Sequence, residues 1–311
     1  MNFFKKIKKI IRTNKYFYAR DVHYFKKKKI FYGESLNSIF KTKIEDQNPL
    51  LISRLGTVES EIVKFFLLNK NMNFPIRHKT ELKEMAGVFP TDDKNVKRFT
   101  EIYIDSLKYV DLLAVRSIKE ERAFWKNEKT ILKHTKCNSD LVSIGDFDAF
   151  FHDLPWTNSL EGKKILVIHP FSNSIKKQIQ SGVVFSGKFS LPKCEINVLR
   201  PVQSQGNMST KCGFDSWYDA LTDMKMQIKE LDFDIALIGA GAYGLPLGAY
   251  CKYLGKKAIH LGGSLQLYFK IIGKRWNDLD SFKSIIDQSW IKPDDSEIPD
   301  GFEKVENRPY W

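Results

Sequence analysis

Residues 234–260 read D-I-A-L-I-G-A-G-A-Y-G-L-P-L-G-A-Y-C-K-Y-L-G-K-K-A-I-H. Asp234–Ile238 is a short apolar run of the buried-strand type that stops at a glycine-rich turn. Gly244–Leu254 has the length and residues of a helix, and Lys257–His260 is strand-like again. Strand, helix and strand in this rhythm are the unit of a parallel sheet.

The rhythm extends in both directions. Pro49–Ser53, Leu112–Val115, Lys164–Ile168 and Glu195–Leu199 read as strands. Helices are expected after Gly56, through Glu59, Ile62 and Phe66, and over Ser172–Val184, Phe214–Leu231 and Ser264–Ile272. Another carries Phe99, Tyr103 and Leu107, with Thr91 as its N-cap and Asp92 and Asp93 in its first turn. The stretch 117–156 shows only short helical signals. The fold class is therefore α/β: a Rossmann-like, mostly parallel sheet with helices on both faces. Residues 44–290 form that domain, with a sub-boundary near 155–162, and 291–311 form a tail. Ligands of such sheets sit at the carboxyl ends of strands, here after Ser53, Ile168, Ile238 and His260.

The chain has 311 residues, 42% of them hydrophobic and 13% aromatic, which excludes a disordered polypeptide. Its formal net charge of +13 is local. Residues 1–43 hold 13 Lys/Arg against two acids, whereas the rest carries 37 basic and 35 acidic groups. A nearly neutral body without a zinc-finger or RNP-like motif argues against a nucleic-acid partner. On a helical wheel Phe3, Phe4, Ile7, Ile10 and Ile11 share one side of Met1–Arg12, and lysines fill the other. With the second cluster, Lys26–Lys29, this basic amphipathic segment suits an anionic membrane surface, at about 1 kcal/mol per basic residue. Packing on its own domain is the competing reading. The four cysteines lack metal-finger spacing. The longest uncharged stretch, Ile235–Cys251, is too short and too rich in glycine for a span. The expected location is the cytoplasm, peripheral on the inner face of the membrane.

Three constellations carry chemistry. Gly239, Gly241 and Gly244, with Tyr243 between them, make a G-x-G-x-x-G turn whose backbone can approach a diphosphate. The dinucleotide reading needs an acid at the end of the next strand, where His260-Leu261-Gly262-Gly263 stands instead, so NAD is not expected. Arg54-Leu55-Gly56-Thr57-Val58-Glu59 places a guanidinium and a carboxylate at a strand-to-helix junction. Arg54 can clamp a phosphate, Gly56 allows close approach, and Glu59 can hold a metal, orient a hydroxyl or act as a base. The competing reading is that Glu59 only complements the helix dipole and pairs with Arg54. In the third, Gly262 and Gly263 make another phosphate-friendly turn, followed by Gln266, Lys274, Arg275 and Trp276. His169 and His260 stand at strand ends as further acid–base candidates.

These pieces, in this order, resemble a bacterial GT-D-type glycosyltransferase-like family with an R-x-G-x-x-E signature. It is associated with surface polysaccharide synthesis. Pro155-Trp156, Leu166–Phe171, Gly239–Leu247 and His260–Trp276 extend the resemblance over residues 49–276. It implies a Rossmann-like domain, a nucleotide-diphospho-sugar donor and a glycan or lipid-linked acceptor. It also implies a divalent cation, Mn2+ or Mg2+, at Glu59. One departure bears on that cation: Thr57 stands where the family's D-x-E has Asp. An NAD(P)-dependent oxidoreductase or epimerase, and a non-catalytic sugar-nucleotide-binding protein, are the alternatives.

Overall fold

The computed structural model describes residues 30–69, 73–116, 122–187, 189–277, 279, 282, 285–305 and 310–311. The amphipathic stretch Met1–Arg12 and the cluster Lys26–Lys29 lie outside the described residues. Eight strands form one sheet: β1 (Ile30–Phe31), β2 (Leu50–Arg54), β3 (Leu112–Val115), β4 (Asp140–Ser143), β5 (Lys164–Ile168), β6 (Glu195–Leu199), β7 (Ile235–Ile238) and β8 (Lys257–His260). The order is β1-β4-β3-β2-β8-β7-β5-β6, and every pairing is parallel. The main helices are α1 (Gly33–Glu45), α2 (Thr57–Leu68), α3 (Ile76–Glu84), α4 (Asp93–Leu107), α5 (Arg122–His134), α6 (Ser172–Gln180), α7 (Trp217–Lys229) and α8 (Gly244–Tyr253).

Side chains alternate across a strand, and here both faces are covered, so the central strands read as unbroken apolar runs. Leu51, Leu113, Leu166, Ala236 and Ala258 pack on one face with α2, α4, α7 and α8. Leu50, Leu112, Ile165, Val167, Leu237 and Ile259 pack on the other, with α1 and α6. Residues 30–43, counted with the basic segment in the sequence, belong to this body. Leu36, Phe40 and Ile44 of α1 are fully buried. The expected sub-boundary falls in a 3-10 turn, Trp156–Leu160, between β4 and β5 of the same sheet.

Local chemistry sets the element ends. Asp92, not Thr91, caps α4, its carboxylate accepting the Asn95 N–H at 3.1 Å. Helix α6 stops at Gln180 rather than Val184, because Gly182 takes a left-handed conformation, φ 75°. Helix α7 starts at Trp217, where Ser216 accepts the Asp219 N–H. The helix expected over Ser264–Ile272 is a 3-10 segment, Gly262–Phe269, ended by Lys270 at φ 54°.

The C-terminal tail lies on the body. Glu297, fully buried, accepts the N–H groups of Asn173 and Ser174 at the start of α6. An anion there complements the positive helix end and satisfies two open amides. Farther on, Gln266 Nε2 donates to the Tyr310 carbonyl at 3.2 Å. Lys274 N–H donates to the Trp311 carbonyl, and the Trp311 ring meets Phe171.

Candidate functional site

The carboxyl ends of seven of the eight strands open into one cavity of about 810 Å³. That volume is in the range of small-molecule sites. Arg54 comes from the end of β2, Arg116 follows β3, Ile144 and Gly145 follow β4, His169 follows β5, Pro201 to Gln203 follow β6, Gly239 to Gly241 follow β7, and His260, Gly262 and Gly263 lie at and after the end of β8. Gly56, Thr57 and Glu59 at the start of α2 complete one wall, and Gln266, Arg275, Tyr310 and Trp311 another. The structure thus brings together the residues singled out in the sequence except Gly244, Lys274 and Trp276, which are absent from the lining; Trp276 is core instead. Gly244 instead packs on His260: a Cβ there would stand 2.2 Å from the His260 Nε2. Only glycine lets α8 begin directly over the last residue of β8.

Arg54 defines the electrostatics. Its partly buried guanidinium makes no ion pair with any described carboxylate, Glu59 included. Burial first, then neighbouring Arg116, holds its pKa below the usual arginine value. Asp148, Tyr310 and Arg275 also act on it electrostatically. Asp148 accepts the Ser264 hydroxyl at 2.7 Å, and burial raises the pKa of its carboxyl group. An arginine does not shed its proton at neutral pH. The desolvated charge of Arg54, crowded by like charges, is therefore lowered in energy by an incoming anion.

Glu59 is buried at the third position of α2, with its carboxylate folded over Gly56. The Gly56 N–H donates to the Tyr103 hydroxyl at 3.2 Å. That phenol is driven well above its ordinary pKa by burial and then by the Glu59 charge. Glu59 is the sole carboxylate among the described lining residues.

Both histidines are neutral. His169 Nδ1 accepts the Phe171 N–H at 3.0 Å, which leaves the proton on Nε2. Burial pushes its pKa down to about 3. His169 therefore presents a donor to the cavity and has no free lone pair to act as a base, so the acid–base role expected for it becomes one of donation. His260 is also pushed down to about 3, by burial and then by Arg54. Its Nδ1 lies 3.0 Å from Ser53 Oγ and its other nitrogen faces Gly244, so it too is a poor base.

This has a measurable consequence. Both native pKa values lie below the ordinary 6.5 of an unfolded histidine, so between them the unfolded chain binds more protons. The stabilisation is complete above about pH 6.5 and is lost as pH falls toward 3, with a slope up to ~1.4 kcal/mol per pH unit for each histidine. Thermal melts across that window should show the loss, and His260→Gln should have a shallower slope than the parent. Parallel slopes would show that His260 is not held neutral.

Other expected contacts are spent within the protein. The Gln266 amide nitrogen donates to the carbonyls of Ile271 and Tyr310, which makes it a strap for the tail. Tyr243 stacks on Trp217, and its hydroxyl lies 3.1 Å from Ser204 Oγ, so only its ring is offered. A Cβ on Gly241 would meet the Gln205 amide at 2.7 Å, so that close approach is already taken by a side chain. The Ala240 and Gly241 N–H groups donate to no acceptor among the described residues. Arg275 lies over the Tyr310 ring, 5.2 Å from its centre.

The residue that sequence reasoning missed is Arg116. It is buried, and its Nη1 meets Glu128 Oε1 at 2.7 Å while its own N–H donates to Glu128 Oε2, also at 2.7 Å. Its Nη2 stands 3.5 Å from Thr57 Oγ1. The strand-end rule would have found it, since it directly follows the strand read at Leu112–Val115.

Fold and site together define a parallel α/β protein with a cavity at the strand carboxyl ends lined by Arg54, Arg116 and Arg275. No family model matches the chain, and no curated protein matches it. Three solved structures are similar to it. One is described as the selenomethionine-substituted domain of unknown function 1792 (12% identity, TM-score 0.43, 76% of this chain and 78% of that one). A second is described as that domain having a distinct glycosyltransferase fold (11% identity, TM-score 0.46, 81% and 85%). A third is described as a new glycosyltransferase of the same domain type from Streptococcus sanguinis (11% identity, TM-score 0.46, 86% and 96%).

Proposed function

We propose that the chain is a glycosyltransferase that moves a sugar from a nucleotide-diphospho-sugar to a glycan or lipid-linked acceptor in surface polysaccharide synthesis. The observation that supports this is Arg54, desolvated and in direct ion-pair contact with no carboxylate among the described residues, sharing one cavity with Glu59 and the Gly239–Gly241 turn. In the reaction the acceptor oxygen bonds to the anomeric carbon as the bond from that carbon to the phosphate oxygen breaks. The electron pair leaves with the diphosphate, and the acceptor proton passes to Glu59. Arg54, Arg275, the His169 Nε2–H and the amides of Ala240 and Gly241 are the donors for the growing negative charge. Attachment of residues 1–29 to an anionic membrane would bring the site to a lipid-linked acceptor.

A thermal-shift panel of UDP- and GDP-sugars tests the reading, because a ligand of the native state raises the melting temperature. At least one is expected to stabilise the protein and to be consumed when acceptor is added. Stabilisation by NADH with none by any nucleotide sugar would overturn the assignment.

A further inference from the structure

The R-x-G-x-x-E resemblance implies a divalent cation at Glu59, and the residues present do not fit one. Among the described residues no group of three His, Cys, Asp or Glu is placed to hold a metal. Mg2+ and Mn2+ are hard cations, held by carboxylates together with substrate phosphates. Here the second carboxylate of the pattern is Thr57, and the space beside it is taken by a guanidinium, Arg116 Nη2 at 3.5 Å. Arg54, Arg116 and Arg275 line the same cavity, with Glu59 as the sole carboxylate among the described lining residues. A divalent ion at Glu59 would therefore share the cavity with three guanidinium groups, of which Arg116 is paired with Glu128.

We propose that Arg116, held beside Thr57 by Glu128, occupies the place of the metal, so that the site binds the diphosphate of its donor and product through guanidinium groups without a divalent cation. This rests on the glycosyltransferase reading and adds to it the means by which the charge is met. Three features support it. The Glu128 carboxylate takes the Arg116 main-chain N–H and Nη1, which fixes the fork while Nη2 points toward the wall formed by Thr57. A guanidinium is planar, permanently charged and matched to paired phosphate oxygens. Thr57 is neutral and brings no counter-charge of its own to the fork that Glu128 pairs, whereas an aspartate in its place would bring a further carboxylate to Nη2.

The test is calorimetric titration of the full chain with UDP, GDP and inorganic pyrophosphate, once in EDTA and once in Mn2+. The expected result is binding in EDTA with an affinity that Mn2+ leaves roughly unchanged. Thr57→Asp, at a partly exposed position that tolerates a carboxylate, should lose about tenfold or more in EDTA, the worth of one charge-assisted contact. Arg116→Lys, which keeps the charge and loses the fork, should fall between the two. Binding that appears only with Mn2+ overturns the proposal and leaves the glycosyltransferase reading standing. An unchanged Thr57→Asp affinity in EDTA overturns it as well. Absence of binding by any of the three ligands in both conditions overturns the proposal together with that reading.

Discussion

Glu59→Gln is expected to lower glycosyl transfer by about 10²–10⁴-fold, the usual worth of a positioned general base, while leaving nucleotide-diphosphate affinity roughly unchanged. The substitution preserves size and the fold of the side chain over Gly56, so α2 should start as before. What disappears is the proton acceptor. Neither histidine can replace it: His169 has committed Nδ1 to the Phe171 N–H, and His260 is lodged between Ser53 and Gly244. The loss should accordingly appear in kcat with little change in the donor KM, because donor binding belongs to the arginines and the turn amides. Steady-state transfer assays with matched binding titrations give both numbers. Retention of full transfer would remove Glu59 from the chemistry; a parallel loss of affinity would make it a binding group instead.

The legibility of the sequence follows the physics of each segment. Lys164–Ile168, Leu112–Val115 and Lys257–His260 were readable to the residue because strands covered on both faces are unbroken apolar runs bounded by polar residues. Strand β4 was not, since Asp140–Ser143 has only Leu141 and Val142 between two polar ends. Helix ends were legible only approximately, because the choice between Thr91 and Asp92 depends on which side chain reaches an amide three residues on. The rule that ligands lie past strand ends placed Arg54, His169, Gly239 and His260 around one cavity. Arg116 escaped because no glycine or motif follows it, and its partner Glu128 is twelve residues away on α5, a 13-residue helix where only short helical signals were expected. Glu297 was equally silent, because an acid that caps a helix more than a hundred residues earlier leaves no local signal.

Breaking the pair that holds Arg116 should produce the largest change in stability. Glu128 is fully buried and Arg116 is 5% exposed, and the ion pair between them helps to keep both charges in the interior. Glu128→Met is expected to cost ~3–5 kcal/mol, the penalty for leaving one buried partner uncompensated. For a chain of this length the melting temperature should fall on the order of 10 °C. The pair as a whole is a different matter, because the desolvation of two ions offsets most of their attraction. An apolar pair in their place should therefore recover most of the loss. Arg116→Met combined with Glu128→Met should melt close to the parent, and the coupling in that cycle measures the pair directly. The same double variant should nevertheless bind pyrophosphate poorly, since the fork at the cavity wall is gone. Recovery of stability without recovery of binding would separate what Arg116 does for the ligand from what it does for the fold. A Glu128→Met protein that melts like the parent would show that the pair holds nothing in place.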